Sequence, residues 1–333
     1  MSNSPSLGTF LVLAGGIAQG AFIAPSKKIR NWAWENYWLL FSMTAYLLVP
    51  WSVAYFTIPK LLEIYAGCSF SDFLVIGFFG LTWGLGALTF GLGIEKLGLA
   101  LGFAVILGTA TIVGTLTPYL LTRSATGSST HLLLTAGGLG IMLAGVAVCS
   151  LAGRWKESHN SPGWSYGRGL AICVASGVLS AGGNLGLFFS ESMINRAVAM
   201  GVAPYLAPNA VWTLLPVPLF LCNSIYAMWL LWKNSTAIHF RQADGARNLW
   251  LSVLMGVLWM GGIALYGSGT RQLGQLGTSL GYATFMASTI LTSSAIGIST
   301  GEWRDAPKEA KRQLVMGILL LVMAIIFLAQ LNR

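Results

Sequence analysis

Charge is scarce in this chain: lysine, arginine, aspartate and glutamate make up 9% of its 333 residues, against roughly 25% in a typical soluble domain. So few charges cannot cover a water-facing surface, which excludes a soluble globular protein. Acids are scarcer than bases, 10 against 19, and none falls in the middle of an apolar stretch. The usual intramembrane carrier of a proton or cation is therefore missing. Histidine occurs three times, with His131 at the edge of an apolar stretch and His159 and His239 in polar breaks. Four cysteines, Cys68, Cys149, Cys173 and Cys222, lie far apart. That leaves no disulfide framework and no metal-ligand spacing, so neither a metal nor a cofactor is expected. A Walker A loop and a dinucleotide fingerprint are absent too. A membrane-embedded enzyme would want a mid-membrane His/Asp or metal cluster, and none is visible.

Apolar residues are what the chain has in quantity, 55% of the total with a mean hydropathy of +0.70. A bilayer-spanning helix needs about 20 predominantly apolar residues. Ten such windows occur, at 7–24, 37–57, 73–93, 98–119, 131–152, 168–189, 209–232, 249–269, 276–300 and 313–331. The expected class is an all-α polytopic membrane protein with a single membrane domain. The first window lacks a basic leader and is followed by Pro25, Lys27 and Lys28, so it reads as a retained helix and not a cleaved signal. Most breaks are short. The longest polar-to-apolar mixture separates the sixth and seventh windows, where Pro204 and Pro208 interrupt any long helix. A partly helical, re-entrant or surface-lying segment is expected there.

The net charge of +9 does not indicate nucleic acid, because the bases form no stripe with interleaved aromatics. They stand at window edges, where they snorkel and orient helices; the bilayer is the expected partner. Breaks after the first, third, fifth, seventh and ninth windows hold 14 of the 19 lysines and arginines. Cytoplasmic loops are the basic ones. The odd breaks are thus expected inside and both termini in the periplasm.

The chain also repeats itself. Trp83, Phe90, Gly91 and Gly93 correspond at one offset to Trp259, Tyr266, Gly267 and Gly269, and Gly98 and Gly102 correspond to Gly277 and Gly281 after a three-residue insertion. More weakly, AGGIAQGAF of the first window resembles ASGVLSAGG of the sixth, and GIMLAGVAV of the fifth resembles GILLLVMAI of the tenth. Two five-helix units follow, 1–155 and 165–333. An odd number of crossings sends the second unit into the membrane from the opposite side, so the repeats are inverted. Secondary transporters share that arrangement, with a midplane site between halves that rock to give alternating access.

Glycine is abundant, 41 residues, and Gly80 and Gly84, Gly98 and Gly102, and Gly277 and Gly281 each stand four apart. Small residues on one face let helices pack closely, and smooth faces could also slide during alternating access. Trp83 and Trp259 lie mid-window, where the interfacial aromatic belt does not account for them. Each is either a packing anchor or a flat apolar platform for the C–H face of a sugar; the matched positions favour the platform. Ser and Thr inside a membrane helix commonly satisfy themselves on their own backbone. An amide there costs several kcal/mol without partners, so Gln19 and Asn184 should face the bundle interior. Gln19, Trp83, Thr109, Thr111, Ser180, Asn184, Trp259, Tyr266, Tyr282 and Ser288 together form the expected site for a neutral, polyhydroxylated ligand.

A basic and aromatic run, A-P-x-K-K-x-x-x-W-x-W-E from Ala24 to Glu35, marks the first break. With W-G-x-G at Trp83, F-G-L-G at Phe90, L-G-L-A-L-G through Gly102, I-V-G-T-L-x-P ending at Pro118 and G-E-W-x-x-A ending at Ala306, the chain resembles the L-rhamnose-proton symporters of bacterial inner membranes, within the drug/metabolite transporter superfamily. The likeness runs essentially end to end. It implies a five-plus-five fold of ten helices and uptake of L-rhamnose or a similar deoxy sugar coupled to protons. The cavity would be lined by the first, third, fourth, sixth, eighth and ninth helices. Lacking a midplane carboxylate, the chain must carry a proton at a cavity end. Glu35, beside the most specific motif and Lys28, is the first candidate, ahead of Glu95 and Glu191. The rival expectation is an exporter or exchanger of amino acids or other small metabolites, whose cationic members would call for an intramembrane acid.

Overall fold

The computed structural model describes residues 4–97, 99–123, 129–156 and 166–331, all helices and connections with no strand among them. Helix α1 (Pro5–Ala21) is capped by Ser4 and begins on Pro5, where no backbone N–H is needed. A 3-10 turn (Ala24–Lys28) leads into α2 (Trp34–Met43), a π-helical turn (Thr44–Leu48) and α3 (Val49–Thr57), which run on as one span. The short α4 (Leu61–Ala66) precedes the long helices α5 (Phe70–Leu97), α6 (Leu99–Arg123) and α7 (Ser129–Lys156). Then come α8 (Tyr166–Ser180), α9 (Gly182–Phe189), α10 (Glu191–Ala199), α11 (Asn209–Trp212), α12 (Pro216–Lys233), α13 (Gly245–Gln272), α14 (Leu280–Ser299) and α15 (Lys308–Leu331).

Among the described residues, nine helical segments are long and apolar enough to cross a bilayer. The ninth sequence window is the one not among them: its helix, α14, is 20 residues long, but seven of these are Ser or Thr. Large apolar side chains such as Phe10, Phe56, Leu133 and Trp250 point outward, as they do on a protein solvated by lipid. The chain is a multi-pass, all-α membrane protein. Helices α13 and α15 begin four and five residues before their windows, at Gly245 and Lys308, because hydropathy marks only the hydrocarbon-crossing part of a helix. The long break is resolved too. Helix α10 buries Met193, Ile194 and Ala197, and Gly201, at φ 92°, ends it. The prolines then hold the chain out of helix until α11.

Packing is reciprocal. Helix α1 lies on α13 and α14, and α8 lies on α5 and α6; α2 meets α13, and α12 meets α5; α14 meets α15, and α6 meets α7. Exchanging α1 with α8, α2 with α12, α5 with α13, α6 with α14 and α7 with α15 maps this set of neighbours onto itself. The likeness extends to atoms. Gly16 of α1 abuts Ser288, and Gly177 of α8 abuts Thr109. Gly15 abuts the carbonyl of Gly262, while Ser176 donates to the carbonyl of Gly86 at 3.0 Å. Of the spaced glycine pairs, Gly80 and Gly84 pack a neighbouring helix, α12, whereas Gly102, Gly277 and Gly281 pack within their own hairpins.

One end of the bundle gathers the breaks after α1, α12 and α14. The Arg30 N–H bonds Asn248 at 3.3 Å, the Asn31 amide reaches Asp244 at 3.0 Å, Trp32 Nε1 donates to the His239 carbonyl at 2.9 Å, and Lys27 pairs with Glu302. At the other end, Ser4 bonds Gln272 at 3.0 Å, Asn209 reaches Thr57 at 3.2 Å, and Tyr65 donates to the carbonyl of Ala210 at 2.7 Å. The main core surrounds α2, α11 and α13, and a second one joins α7 to α15 through Leu139, Met142, Val146 and Leu321.

Candidate functional site

Between those two ends lies a cavity of about 290 Å3. Helices α1, α2, α5, α6, α8, α9 and α11 to α14 contribute to its wall, and among the described residues α7 and α15 do not. The expected set of helices one, three, four, six, eight and nine is therefore supplemented by the second and seventh.

Seven of the ten expected site residues line the cavity: Gln19, Trp83, Ser180, Asn184, Trp259, Tyr266 and Tyr282. The two matched tryptophans stack on each other, ring centroids 5.4 Å apart and planes at 25°. Trp83 has Gly183 against its ring, where a Cβ would stand 2.8 Å from the indole. Trp259 is held by Gln19. With the amide oriented to satisfy both groups, its nitrogen donates to the Trp259 carbonyl at 2.9 Å and its oxygen accepts from the indole N–H at 3.0 Å. Each ring therefore gives one face to the other, a departure from two fully open platforms.

Asn184 is fully engaged. It donates to the carbonyls of Gly114 and Thr278, both at 2.7 Å, and accepts from the Tyr266 hydroxyl. This one side chain ties α9 to α6, to α13 and to the turn before α14.

Thr109, Thr111 and Ser288 are not in the described cavity wall. Thr111 and Ser288 donate to carbonyls of their own helices, Leu107 at 2.8 Å and Phe285 at 3.0 Å, while Thr109 and Ser288 fill the helix crossings at Gly177 and Gly16. Thr111 and Ser288 thus satisfy their hydroxyls on their own backbone.

Several wall residues escaped the sequence reading, foremost the aromatics Trp38, Phe41, Tyr46, Trp212 and Phe285. A signal for two of them was present. Tyr46 stands four residues before Pro50 and Trp212 four before Pro216, and a proline cannot donate to the carbonyl four residues back. Both places depart from regular α-helix, a π turn at the first and the interval between α11 and α12 at the second.

No Asp, Glu, Lys, Arg or His lies in the described cavity wall. Glu35, only 4% exposed, sits in the first turn of α2 and accepts from Asn234 at 3.0 Å and Thr236 at 2.6 Å. Its side-chain partners here are thus neutral groups. Glu191 pairs with Arg271 through contacts of 2.7 and 2.9 Å at the opposite end. The Glu95 side chain lies outside the described ones. Among the described residues no group of His, Cys, Asp and Glu could hold a metal ion. The wall can therefore offer a neutral ligand aromatic surface and uncharged hydrogen-bonding groups.

A model of the L-rhamnose-proton symport protein (RhaT) family matches residues 1–330. The chain belongs to that family. It is a transporter and not an enzyme. Similar proteins include the L-rhamnose-proton symporters of Mannheimia succiniciproducens, 28% identical over 97% of both chains, Escherichia coli O1:K1, 27% over 97% of both, and Yersinia pestis, 28% over 97% of both. At that level of identity a family shares its framework, and the residues of the site must be argued one at a time.

Proposed function

We propose that the protein imports L-rhamnose, or a similar neutral deoxy sugar, across the bacterial inner membrane together with protons, by alternating access. The observation that carries this reading is a mid-bundle cavity walled by tryptophan and tyrosine with no charged side chain in its described wall. A sugar offers C–H faces to such rings and hydroxyls to their polar edges. A zwitterionic amino acid would leave both its charges unpaired there, at a large desolvation cost. The volume, about 290 Å3, stands at the lower limit of small-molecule sites, roughly 300–1,000 Å3, and suits a single ring.

The architecture behind this function is ten spans in two inverted units, residues 1–155 and 165–333, with α14 as a span. Helix α14 need not be apolar all round, since Thr284 and Ser288 are buried and Thr284, Ser288, Thr289 and Ser299 donate to carbonyls of their own helix. The reciprocal packing supports the duplication. Both termini are periplasmic on this reading, and the proton is carried at a cavity end by Glu35, with Glu191 and Glu95 as the next candidates.

Titration calorimetry on the purified protein with L-rhamnose, L-fucose, L-lyxose, D-mannose, D-glucose and a set of amino acids tests the substrate class. Binding of L-rhamnose and none of the amino acids is expected. Amino-acid binding without any sugar would reverse the conclusion.

A further inference from the structure

The cavity wall has more polar tips than free ones. The Tyr266 hydroxyl is given to Asn184 and the Trp259 indole N–H to Gln19. Tyr46 and Tyr282 differ: both line the cavity, and neither hydroxyl bonds to a described residue or is among the buried polar atoms sealed away without a partner. Of the two, Tyr46 is the more buried, at 4% exposed, and it is the one that lies in a π turn. A phenol left so inside a membrane protein is unfavourable unless something completes it.

The ring is nonetheless held firmly. It packs edge-on against Trp259, with centroids 4.8 Å apart, and against Phe41 at 5.6 Å. Trp259 is in turn fixed by Gln19. The backbone beneath is the π turn Thr44–Leu48, where the Val49 N–H reaches back to the Thr44 carbonyl, five residues away. Pro50 accounts for the widening, since a regular turn would ask its missing N–H to meet the Tyr46 carbonyl. Gly256 of α13 admits the wider turn: a Cβ there would stand 2.6 Å from Thr44 Cβ. Single π turns recur at functional sites because the extra residue re-aims the side chains that follow. We infer that Tyr46, set by this π turn, is a specificity-determining residue whose hydroxyl hydrogen-bonds one hydroxyl of the bound sugar. This rests on the sugar reading and names the protein group that reads the substrate.

The test is Tyr46→Phe in the full-length protein, which keeps the ring and its packing and removes one oxygen. Binding is measured with L-rhamnose and with its singly deoxygenated analogues. The variant is expected to melt with the unaltered protein and to bind L-rhamnose about tenfold more weakly, the order for leaving one hydrogen-bonding group unpaired. For one analogue, the one lacking the hydroxyl that Tyr46 reads, the two proteins should bind alike. Equal affinity of both proteins for L-rhamnose, or a loss of the same factor for every analogue, overturns the inference while sugar transport stands. If the unaltered protein binds no sugar of the panel, the transport reading falls and the inference with it.

Discussion

Glu35 shows how much a single side chain's role depends on its neighbours. Its position beside Lys27 and Lys28 suggests an ion pair, but Lys27 turns to Glu302 and the Glu35 carboxylate is held by the Asn234 amide and the Thr236 hydroxyl. These donors belong to the segment after α12, so the carboxylate joins the second span to the seventh. A neutral Glu35 would weaken that joint, and a joint that differs between access states is all that coupling requires, since protons then shift the equilibrium by their differential affinity. Replacing Glu35 by Gln should leave sugar binding intact, permit sugar exchange across proteoliposome membranes and abolish accumulation driven by a pH gradient. Full accumulation by this variant would remove Glu35 from the coupling step and turn attention to Glu191 and Glu95.

Helix crossings impose the tightest local constraint on the sequence. At the crossing of α1 with α13, the backbones approach so closely that a Cβ on Gly262 would stand 2.6 Å from the Gly15 carbonyl. Its chain neighbour, Gly261, has open space where a Cβ would go. The pair offers a matched comparison. Gly262→Ala should lower the melting temperature in detergent, with an overpacking cost of about 1–3 kcal/mol. Gly261→Ala should hold it level or raise it, because alanine in a helix gains roughly 0.5–1 kcal/mol over glycine. Equal melting of the two variants would mean that the crossing is looser than its geometry, and that glycine serves there for some reason other than close packing.

The whole molecule is ordered by an exchange of partners: α1 packs on α13 and α14, late in the chain, and α8 packs back on α5 and α6. Neither α1 nor α8 is buried by the helices that immediately follow it alone, so the two halves of the chain must be built together. The ends of the bundle also differ in charge. The breaks after α1, α12 and α14 meet at one end and, with the helix ends that flank them, carry Lys27, Lys28, Arg30, Lys233, Arg241, Arg247, Arg304, Lys308, Lys311 and Arg312. By the positive-inside rule this end is expected on the cytoplasmic side. A reporter active only in the periplasm should work when fused after Arg333. Signal from a cytoplasm-only reporter at the same junction would invert the orientation and leave the packing untouched.

Membrane class, helix positions to within a few residues and the internal correspondences were legible in the sequence, because each depends on local composition or on spacing along the chain. Gln19, Trp83 and Asn184 could be singled out for a similar reason: an amide or an indole in hydrocarbon must find company whatever the fold. Which company it finds was decided by tertiary structure. Ser180 lines the cavity while Ser288 and Thr109 fill helix crossings, although all three are small hydroxyl residues in apolar helices. In a soluble helix the polar face would reveal the rotation about the axis. Here both the lipid-facing and the core-facing sides are apolar, so the sequence carries little information on which way a side chain turns. Tyr46 adds a second cause, since one extra residue in the π turn changes the facing of its neighbours. The stack of Trp83 on Trp259 adds a third: two rings far apart in sequence meet only after α5 and α13 have been placed by their own partners.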